Sequence, residues 1–179
     1  MICGTDGSET ITGTDEGELI ICGDGDDVVE ALGGDDTIEC GDEGGTGDKE
    51  IDAGAGDDDV TCDGSGNDDV FGGFGDDSVR CGAGGDFLRG GKGADVLAST
   101  TGGDLILGGG GRDRIRGGGG GDSLYGGARR DFVSGGRGGD GVYGQGGRDT
   151  LRGGPGHDRC DDRRREDARS CEAKGVPQP

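Results

Sequence analysis

The sequence predicts an all-β fold, a parallel β-roll (a β-solenoid) in which two nine-residue units form each coil. Three observations predict it. From Gly72 to Asp161 the chain repeats every nine residues without an insertion, which gives ten units. The units follow the pattern G-G-x-G-x-D-x-U-x, in which position six is acidic and position eight (U) is apolar. A fixed short period of this kind is the signature of a solenoid.

The repeat extends upstream through seven less regular units that begin at Cys3. Units one and seven carry one extra residue each, and unit five, which starts at Cys40, carries four. Position eight is apolar in all 17 units, although only 27% of the chain is hydrophobic. Position six is acidic in 16 of the 17 units, with Lys49 as the exception, and position four is Gly in 15. A disordered Gly/Asp-rich linker would not keep three columns in phase over this length.

The composition indicates that burial of apolar surface alone does not fold this chain. Gly accounts for 50 of 179 residues, aromatic residues for 3%, and the formal net charge is -21. Such a chain has too little apolar surface for an ordinary core, and its charges repel one another in a compact state. Bound divalent cations are therefore expected to supply folding free energy.

Each unit divides into a six-residue turn and a three-residue strand. Glycine at positions one, two and four allows positive φ and close approach of the backbone. The strand points its position-eight side chain inward and its two neighbours outward. Because such short strands are not stable alone, two units must form one 18-residue coil, and successive coils must stack in parallel.

The turns offer oxygen ligands for a metal. An aspartate at position six would project its carboxylate between stacked turns, where carbonyl groups of the glycine turns add further oxygens. Ca2+ accepts six to eight oxygens in a tolerant geometry, whereas Mg2+ is smaller and stricter. The sequence therefore predicts multiple Ca2+ ions as cofactors.

With these residues the array resembles the repeats-in-toxin (RTX, hemolysin-type) calcium-binding family, over roughly residues 3–161. The resemblance implies a parallel β-roll, an extracellular location and folding driven by calcium. Family ligands are the position-six aspartates together with turn carbonyls. Carried onto this chain, the metal ligands are Asp27, Asp36, Asp58, Asp68, Asp77, Asp86, Asp95, Asp104, Asp113, Asp122, Asp131, Asp140, Asp149 and Asp158.

Three units depart from this ligand pattern. Glu9 and Glu18 replace aspartate in the first two units, and Lys49 places a cation where a ligand belongs, which predicts a missing or weak ion there. Position five is acidic or Asn in much of the first half and is often Gly or Arg later. We therefore expect a biphasic calcium titration in which the acidic half fills first.

The cysteines predict contacts between coils. Cys3, Cys22, Cys40, Cys62 and Cys81 all occupy position one of odd-numbered units, which places them on one side of the roll, one coil apart. Two interpretations stay open: free, partly buried thiols, or one or two oxidised pairs of neighbours. A further disulfide, Cys160–Cys171, is expected to fasten a short C-terminal cap over the last coil.

Charge and hydropathy exclude several classes of partner. Residues 1–79 hold one base and 25 acids, and aromatic residues are scarce, so we expect no nucleic-acid partner. No apolar run approaches the length of a membrane span, so no membrane insertion is expected. Met1 leads directly into the repeat, so no signal peptide is visible, and the abundance of cysteine favours an oxidising compartment.

We expect two regions, a calcium-binding roll at 3–161 and a C-terminal cap or tail at 162–179. The expected function is non-enzymatic calcium binding by a secreted, monomeric module. His157 is the lone histidine and is expected to be solvated, so a catalytic triad is not supported. Two alternatives remain: the calcium-dependent module of a larger secreted protease, lipase or epimerase, and a surface adhesin with a cell-surface or glycan partner.

Overall fold

The computed structural model describes residues 1–41 and 45–161, and within them nineteen strands form two parallel sheets. Even-numbered units supply most strands of sheet A, and odd-numbered units supply sheet B. In spatial order sheet A consists of β1 (Ile2–Cys3), β3 (Leu19–Gly23), β5 (Thr37–Cys40), β7 (Asp59–Cys62), β9 (Ser78–Cys81), β11 (Val96–Ala98), β14 (Arg114–Gly120), β16 (Phe132–Arg137) and β18 (Thr150–Arg152), with β12 (Thr101–Gly102) beside β14. Sheet B consists of β2 (Thr10–Thr12), β4 (Asp27–Glu30), β6 (Lys49–Ala55), β8 (Asp69–Phe74), β10 (Phe87–Lys92), β13 (Leu105–Gly110), β15 (Ser123–Ala128), β17 (Gly141–Gly146) and β19 (Arg159–Asp161).

The register confirms the predicted coil of two units. Leu88 pairs with Ile106, 18 residues later, and Ile106 pairs with Leu124. Where the sequence has insertions, the paired residues are more than 18 residues apart in the chain, as are Val29 and Ile51. The extra residues are therefore absorbed in the turns, and the position-eight column stays aligned.

The position-eight side chains form a thin core between the two sheets. Sixteen of the seventeen are buried, from Ile11 through Leu151, and Cys160 at the last coil is partly buried against them. Alternation along each strand points the flanking side chains to solvent. The predicted apolar column is therefore the core of the roll.

Many strands are longer than the three residues expected from the pattern. β10 continues from Phe87 through Lys92, and Gly91 pairs with Gly73 and Gly109 on the neighbouring coils. The turns thus stack on one another as the strands do. Positions two and four of the turn hold most of the positive-φ residues, and Leu32, Arg129 and Gln145 take such φ values there without being glycine.

No helix long and apolar enough to cross a bilayer occurs within residues 1–41 and 45–161. The predicted cap at 162–179 lies outside the described residues, and so does Cys171 of the predicted Cys160–Cys171 pair.

Candidate metal sites between the coils

The position-six aspartates lie inside the roll, between successive coils. Each follows the glycine turn and precedes a strand, so the turn carries its side chain away from solvent. Asp158, in the last unit, is partly buried. The other thirteen of the predicted set are fully buried, each at most 3% exposed: Asp27, Asp36, Asp58, Asp68, Asp77, Asp86, Asp95, Asp104, Asp113, Asp122, Asp131, Asp140 and Asp149.

One carboxylate oxygen of each aspartate links neighbouring coils. The backbone N–H of Asp95 donates to Oδ1 of Asp113 at 3.0 Å, and the N–H of Asp113 donates to Oδ1 of Asp131 at 3.0 Å. The same bond recurs along both edges of the roll as far as Asp158, which accepts from Asp140. These bonds fix the direction of every carboxylate along the axis of the roll.

The second oxygen, Oδ2, is buried at most of these positions and has no hydrogen-bond partner. A buried carboxylate oxygen without a partner is costly, and such groups are rare in native structures. A cation between the coils would compensate them, so the donor set fits a hard metal ion. The aspartates with such an oxygen include Asp36, Asp58, Asp77, Asp95, Asp104, Asp113, Asp122, Asp131, Asp140 and Asp158.

Glycine at position one makes room for these carboxylates. A Cβ added to Gly108 would lie 2.6 Å from Oδ2 of Asp113 and 2.4 Å from the carbonyl oxygen of Gly126, on the next coil. The same crowding occurs at Gly72 and Gly135. The recurrent first glycine therefore brings a carboxylate oxygen and a carbonyl oxygen of successive coils close together.

Lys49 shows that a cation is accommodated between two coils. Its Nζ lies 2.9 Å from Oδ2 of Asp27 and also contacts the carbonyl oxygen of Gly25. Lys49 is 4% exposed and Asp27 is 1% exposed, so the ion pair is buried. The ammonium group contacts the two kinds of oxygen, a position-six carboxylate and a turn carbonyl, that the sequence predicts as metal ligands.

Two further aspartates have neighbours that the sequence analysis missed. Ser99 stands at position one in place of Gly, and its Oγ donates to Oδ2 of Asp86 at 3.2 Å. The ligand atoms of Asp68, Cys62 and Cys81 lie within 4.8 Å of one another, and the two cysteines are bonded to each other. In the sequence, a residue other than glycine at position one could have indicated both of these contacts.

The cysteine column contains two disulfides within the described residues, Cys22–Cys40 and Cys62–Cys81. This confirms the interpretation that neighbouring coils are joined by oxidised pairs. Cys3 is exposed and not bonded to a described cysteine. Cys3 pairs with Ile21, and Ile11 pairs with Val29 in the same register, so Cys3 lies at position nine and the prediction that it shares position one with Cys22 is wrong.

The glutamates of the first two units fold back onto their own turns. Oε1 of Glu9 accepts the N–H of Thr5 at 2.9 Å, and Oε2 of Glu18 accepts the N–H of Thr14 at 3.0 Å. The hydrogen bond from the Thr14 side chain lowers the pKa of Glu18. These carboxylates have partners already and differ from the aspartates of later units.

Position five forms a second, outer column of side chains. In the first half Oδ1 of Asp35 accepts the N–H of Asp57, and Oδ1 of Asp57 accepts the N–H of Asp76. His157 stands in the corresponding column of the other edge and is exposed. These carboxylates join neighbouring turns by hydrogen bonds on the exposed side of the roll.

Burial perturbs the titration of the position-six column. Desolvation raises the pKa of Asp77 and of Asp131 to about 7, and charge from the carboxylates on adjacent coils adds to the increase. The pKa rises to about 6 for the same reasons at Asp58, Asp68, Asp86, Asp95 and Asp122. Without a counter-ion, the roll therefore disfavours charged carboxylates at neutral pH.

A comparison with protein families identifies the repeat. The RTX calcium-binding nonapeptide repeat matches four times, at residues 4–38, 63–97, 98–133 and 125–160, which together span about three quarters of the chain. The chain belongs to this RTX repeat family. It is therefore a β-roll module built of calcium-binding repeats, as the sequence predicted. A search of the curated proteins finds no match.

Proposed function

We propose that this RTX chain is a secreted, non-enzymatic module that folds when Ca2+ binds between its coils. The ligands are the position-six aspartates of the predicted set, through Oδ2, together with carbonyl oxygens of the glycine turns. Bound calcium supplies positive charge and links successive coils. The observation that carries the proposal is the set of buried Oδ2 atoms without hydrogen-bond partners, among them those of Asp36, Asp113 and Asp158.

The contacts of Lys49 support this assignment from within the chain. Its ammonium group binds Oδ2 of Asp27 and the carbonyl oxygen of Gly25, so a cation of this chain already occupies the corresponding place between two coils. Family membership supports calcium as the ion that serves the other coils. A ligand set of carboxylate and carbonyl oxygens also suits calcium better than thiolate- or imidazole-binding metals.

The proposed ligands do not act equally. Ser99 occupies part of the space at Oδ2 of Asp86, and the Cys62–Cys81 disulfide lies beside Asp68. Together with Lys49, these residues interrupt the odd-numbered turns between residues 49 and 99. In the even-numbered units the position-six residue is aspartate from Asp36 onward.

Circular dichroism during calcium titration tests the proposal. Addition of calcium to chelator-treated protein is expected to produce the β-sheet signal and a smaller hydrodynamic radius, and magnesium at the same concentration is expected to do neither. An unchanged spectrum and melting temperature in chelator would refute calcium-driven folding.

A matched pair of variants tests the ligand set. Asp113→Asn keeps the Oδ1 acceptor but removes the charge at a buried Oδ2, so it is expected to lose one bound calcium in calorimetry. Asp76→Asn makes the same change in the exposed position-five column, where Oδ1 accepts the N–H of Ala94, and is expected to keep the wild-type stoichiometry. Equal losses in both variants would contradict the assignment of position six as the ligand column.

A further inference from the structure

The outer surface of the second half is basic, although this part of the chain holds many acidic residues. Arg and Lys side chains are exposed throughout residues 80 to 160, all of which the structure describes. Every acidic residue in that range is a position-six aspartate that points into the roll: Asp86, Asp95, Asp104, Asp113, Asp122, Asp131, Asp140, Asp149 and Asp158. Cations bound between the coils would neutralise these carboxylates and leave a net positive charge on the outer surface of this part of the roll.

Arginines on the outer face of sheet A form a regular column. Arg80 pairs in register with Ala98, and Ala98 pairs with Arg116. Arg116 pairs with Ser134, and Ser134 pairs with Arg152. Arginine therefore recurs on every second strand, at intervals of about 9.6 Å. All three guanidinium groups are on exposed residues, and a small side chain lies between each pair.

A second column of arginines runs along the turns that precede these strands. Arg112, Arg130 and Arg148 occupy position five at intervals of 18 residues, so they stand on successive coils. Arg114 lies between the two columns on the same outer face. We define the arginine face as the position-nine column Arg80, Arg116 and Arg152 together with Arg112 and Arg130 of the turn column.

We propose that the arginine face binds a linear acidic polysaccharide that carries carboxylate or sulfate groups. The inference rests on the proposed function, because calcium must neutralise the inner aspartates for the face to present a net positive charge. A guanidinium group is planar and permanently charged, and it binds carboxylate or sulfate oxygens through two parallel hydrogen bonds. Arginines in straight columns along the roll match charges that repeat along an extended polymer chain.

The structure favours a polysaccharide over a nucleic acid. Single strands are bound on exposed aromatic platforms. The aromatic residue of the arginine face is Phe132, which is half-buried beneath the guanidinium group of Arg152 at 5.1 Å. Duplex DNA is read by an element that enters a groove, whereas this face is a sheet surface without a projecting element. A flat face of regularly spaced cations suits an extended acidic chain that lies along it.

Titration of the calcium-saturated full chain with short oligosaccharides tests the proposal. The probes are heparin-derived and galacturonate oligosaccharides, with neutral dextran and a DNA duplex for comparison. The variant Arg80→Ser/Arg116→Ser/Arg152→Ser removes one column of arginines. Serine is chosen because Ser134 already occupies this column. This variant is expected to weaken oligosaccharide binding by about tenfold. The control Arg89→Ser/Lys92→Ser/Arg159→Ser removes the same charge from sheet B and is expected to change binding by less than about twofold.

Several outcomes would overturn the proposal. These are absence of binding to both acidic oligosaccharides, equal loss in the two triple variants, and tighter binding of the DNA duplex. A dimer that the Arg80/Arg116/Arg152 variant dissociates would assign the face instead to the acidic half of a second copy. Circular dichroism of the same samples separates the two proposals: a folded protein that binds no oligosaccharide refutes only the arginine face, and failure to fold in calcium refutes the proposed function.

Discussion

The two halves of the roll have the same backbone architecture but differ in how their coils are joined. Up to Cys81 the chain has the two disulfides Cys22–Cys40 and Cys62–Cys81, the buried Lys49–Asp27 ion pair and the hydrogen-bonded carboxylates of position five. Between residue 82 and residue 147 the described coils have no disulfide and no ion pair. Their inner carboxylates repeat without interruption from Asp104 onward.

This difference shows that one repeat can be stabilised in two ways. Covalent bonds and an internal ammonium group join coils of the first half without any bound ion. The second half is more regular, but most of its inner Oδ2 atoms are buried without a hydrogen-bond partner, so we expect cations to compensate their charge. The half with the more acidic sequence is therefore also the half with connections that survive removal of metal.

The largest expected effect is a different response of the two halves to removal of calcium. In chelator, amide hydrogens of residues 104–147 are expected to lose all protection, whereas those near Cys22–Cys40 and Cys62–Cys81 keep part of theirs. Each disulfide closes a loop of 18 or 19 residues and constrains the unfolded chain by about 3 kcal/mol. Hydrogen exchange read by mass spectrometry checks this.

Reduction provides the control for that experiment. Dithiothreitol added with the chelator is expected to remove the residual protection of the first half and leave the exchange of residues 104–147 unchanged. Uniform exchange along the oxidised, calcium-free chain would show that the two halves do not differ in this way.

The next effect concerns the internal ammonium group. Lys49→Met leaves the buried carboxylate of Asp27 without its partner, which is expected to destabilise the calcium-loaded protein by about 3–5 kcal/mol in urea denaturation. Lys92→Met removes an exposed cation that lies over the Phe74 ring, and its expected cost is below about 1 kcal/mol.

Calorimetry decides what a smaller effect at Lys49 would mean. A variant that keeps its stability while binding one additional calcium would show that ammonium and calcium are interchangeable at Asp27. Wild-type stability without an additional ion would contradict the role of Lys49 as the counter-charge.

The smallest expected effect is a dependence on pH. Seven position-six carboxyls have a folded pKa of about 6 to 7, above the usual 3.8, so the metal-free roll binds more protons than the unfolded chain in that interval. Its stability therefore falls as pH rises from about 4 to about 7, and this contribution is fully present only at lower pH. Calcium requires the charged form, so its affinity changes in the opposite direction.

Calcium titrations at two pH values measure this effect. Between about pH 7.5 and about pH 5.5 the calcium concentration at the folding midpoint is expected to increase by about tenfold. The Asp76→Asn variant is expected to show the same increase, since position five lies outside the buried column. A midpoint that does not depend on pH would contradict protonation of the inner carboxylates.

The biphasic calcium titration expected from the sequence remains a prediction, and the structure gives it a sharper form. Lys49, Ser99 and the Cys62–Cys81 disulfide interrupt the odd-numbered turns near Asp27, Asp86 and Asp68. The even-numbered turns from Asp36 to Asp131 carry Oδ2 atoms without hydrogen-bond partners. If the titration resolves two classes of calcium sites, we expect them to differ between the odd-numbered and even-numbered turns as well as between the two halves.

Much of the fold could be predicted because the repeat is regular. The alternation around position eight specifies the buried face of each strand, and the 18-residue coil follows from two units. Strand length was underestimated, since the glycine turns also pair, as between Gly73 and Gly91. Pairing within turns depends on positive φ at consecutive coils, which a residue pattern indicates only indirectly.

The cysteines show that sequence spacing does not by itself predict which cysteines are bonded to each other. The shared position correctly placed Cys22, Cys40, Cys62 and Cys81 on one side of the roll, but Cys62 aligns with both Cys40 and Cys81. The choice of partner follows from Cys3, which lies at position nine opposite Ile21 and not at position one. With Cys3 excluded, joining all four remaining neighbours in pairs requires the observed connectivity.

The sequence by itself determined the coil, the core column and the inward direction of the position-six aspartates, because each follows from a period that the chain repeats throughout. Only the tertiary structure decided which of the Oδ2 atoms have a partner within the protein. Lys49 reaches Asp27 across 22 residues and Ser99 reaches Asp86 across 13. These contacts cross between coils, and their geometry depends on side-chain directions that the local pattern does not specify.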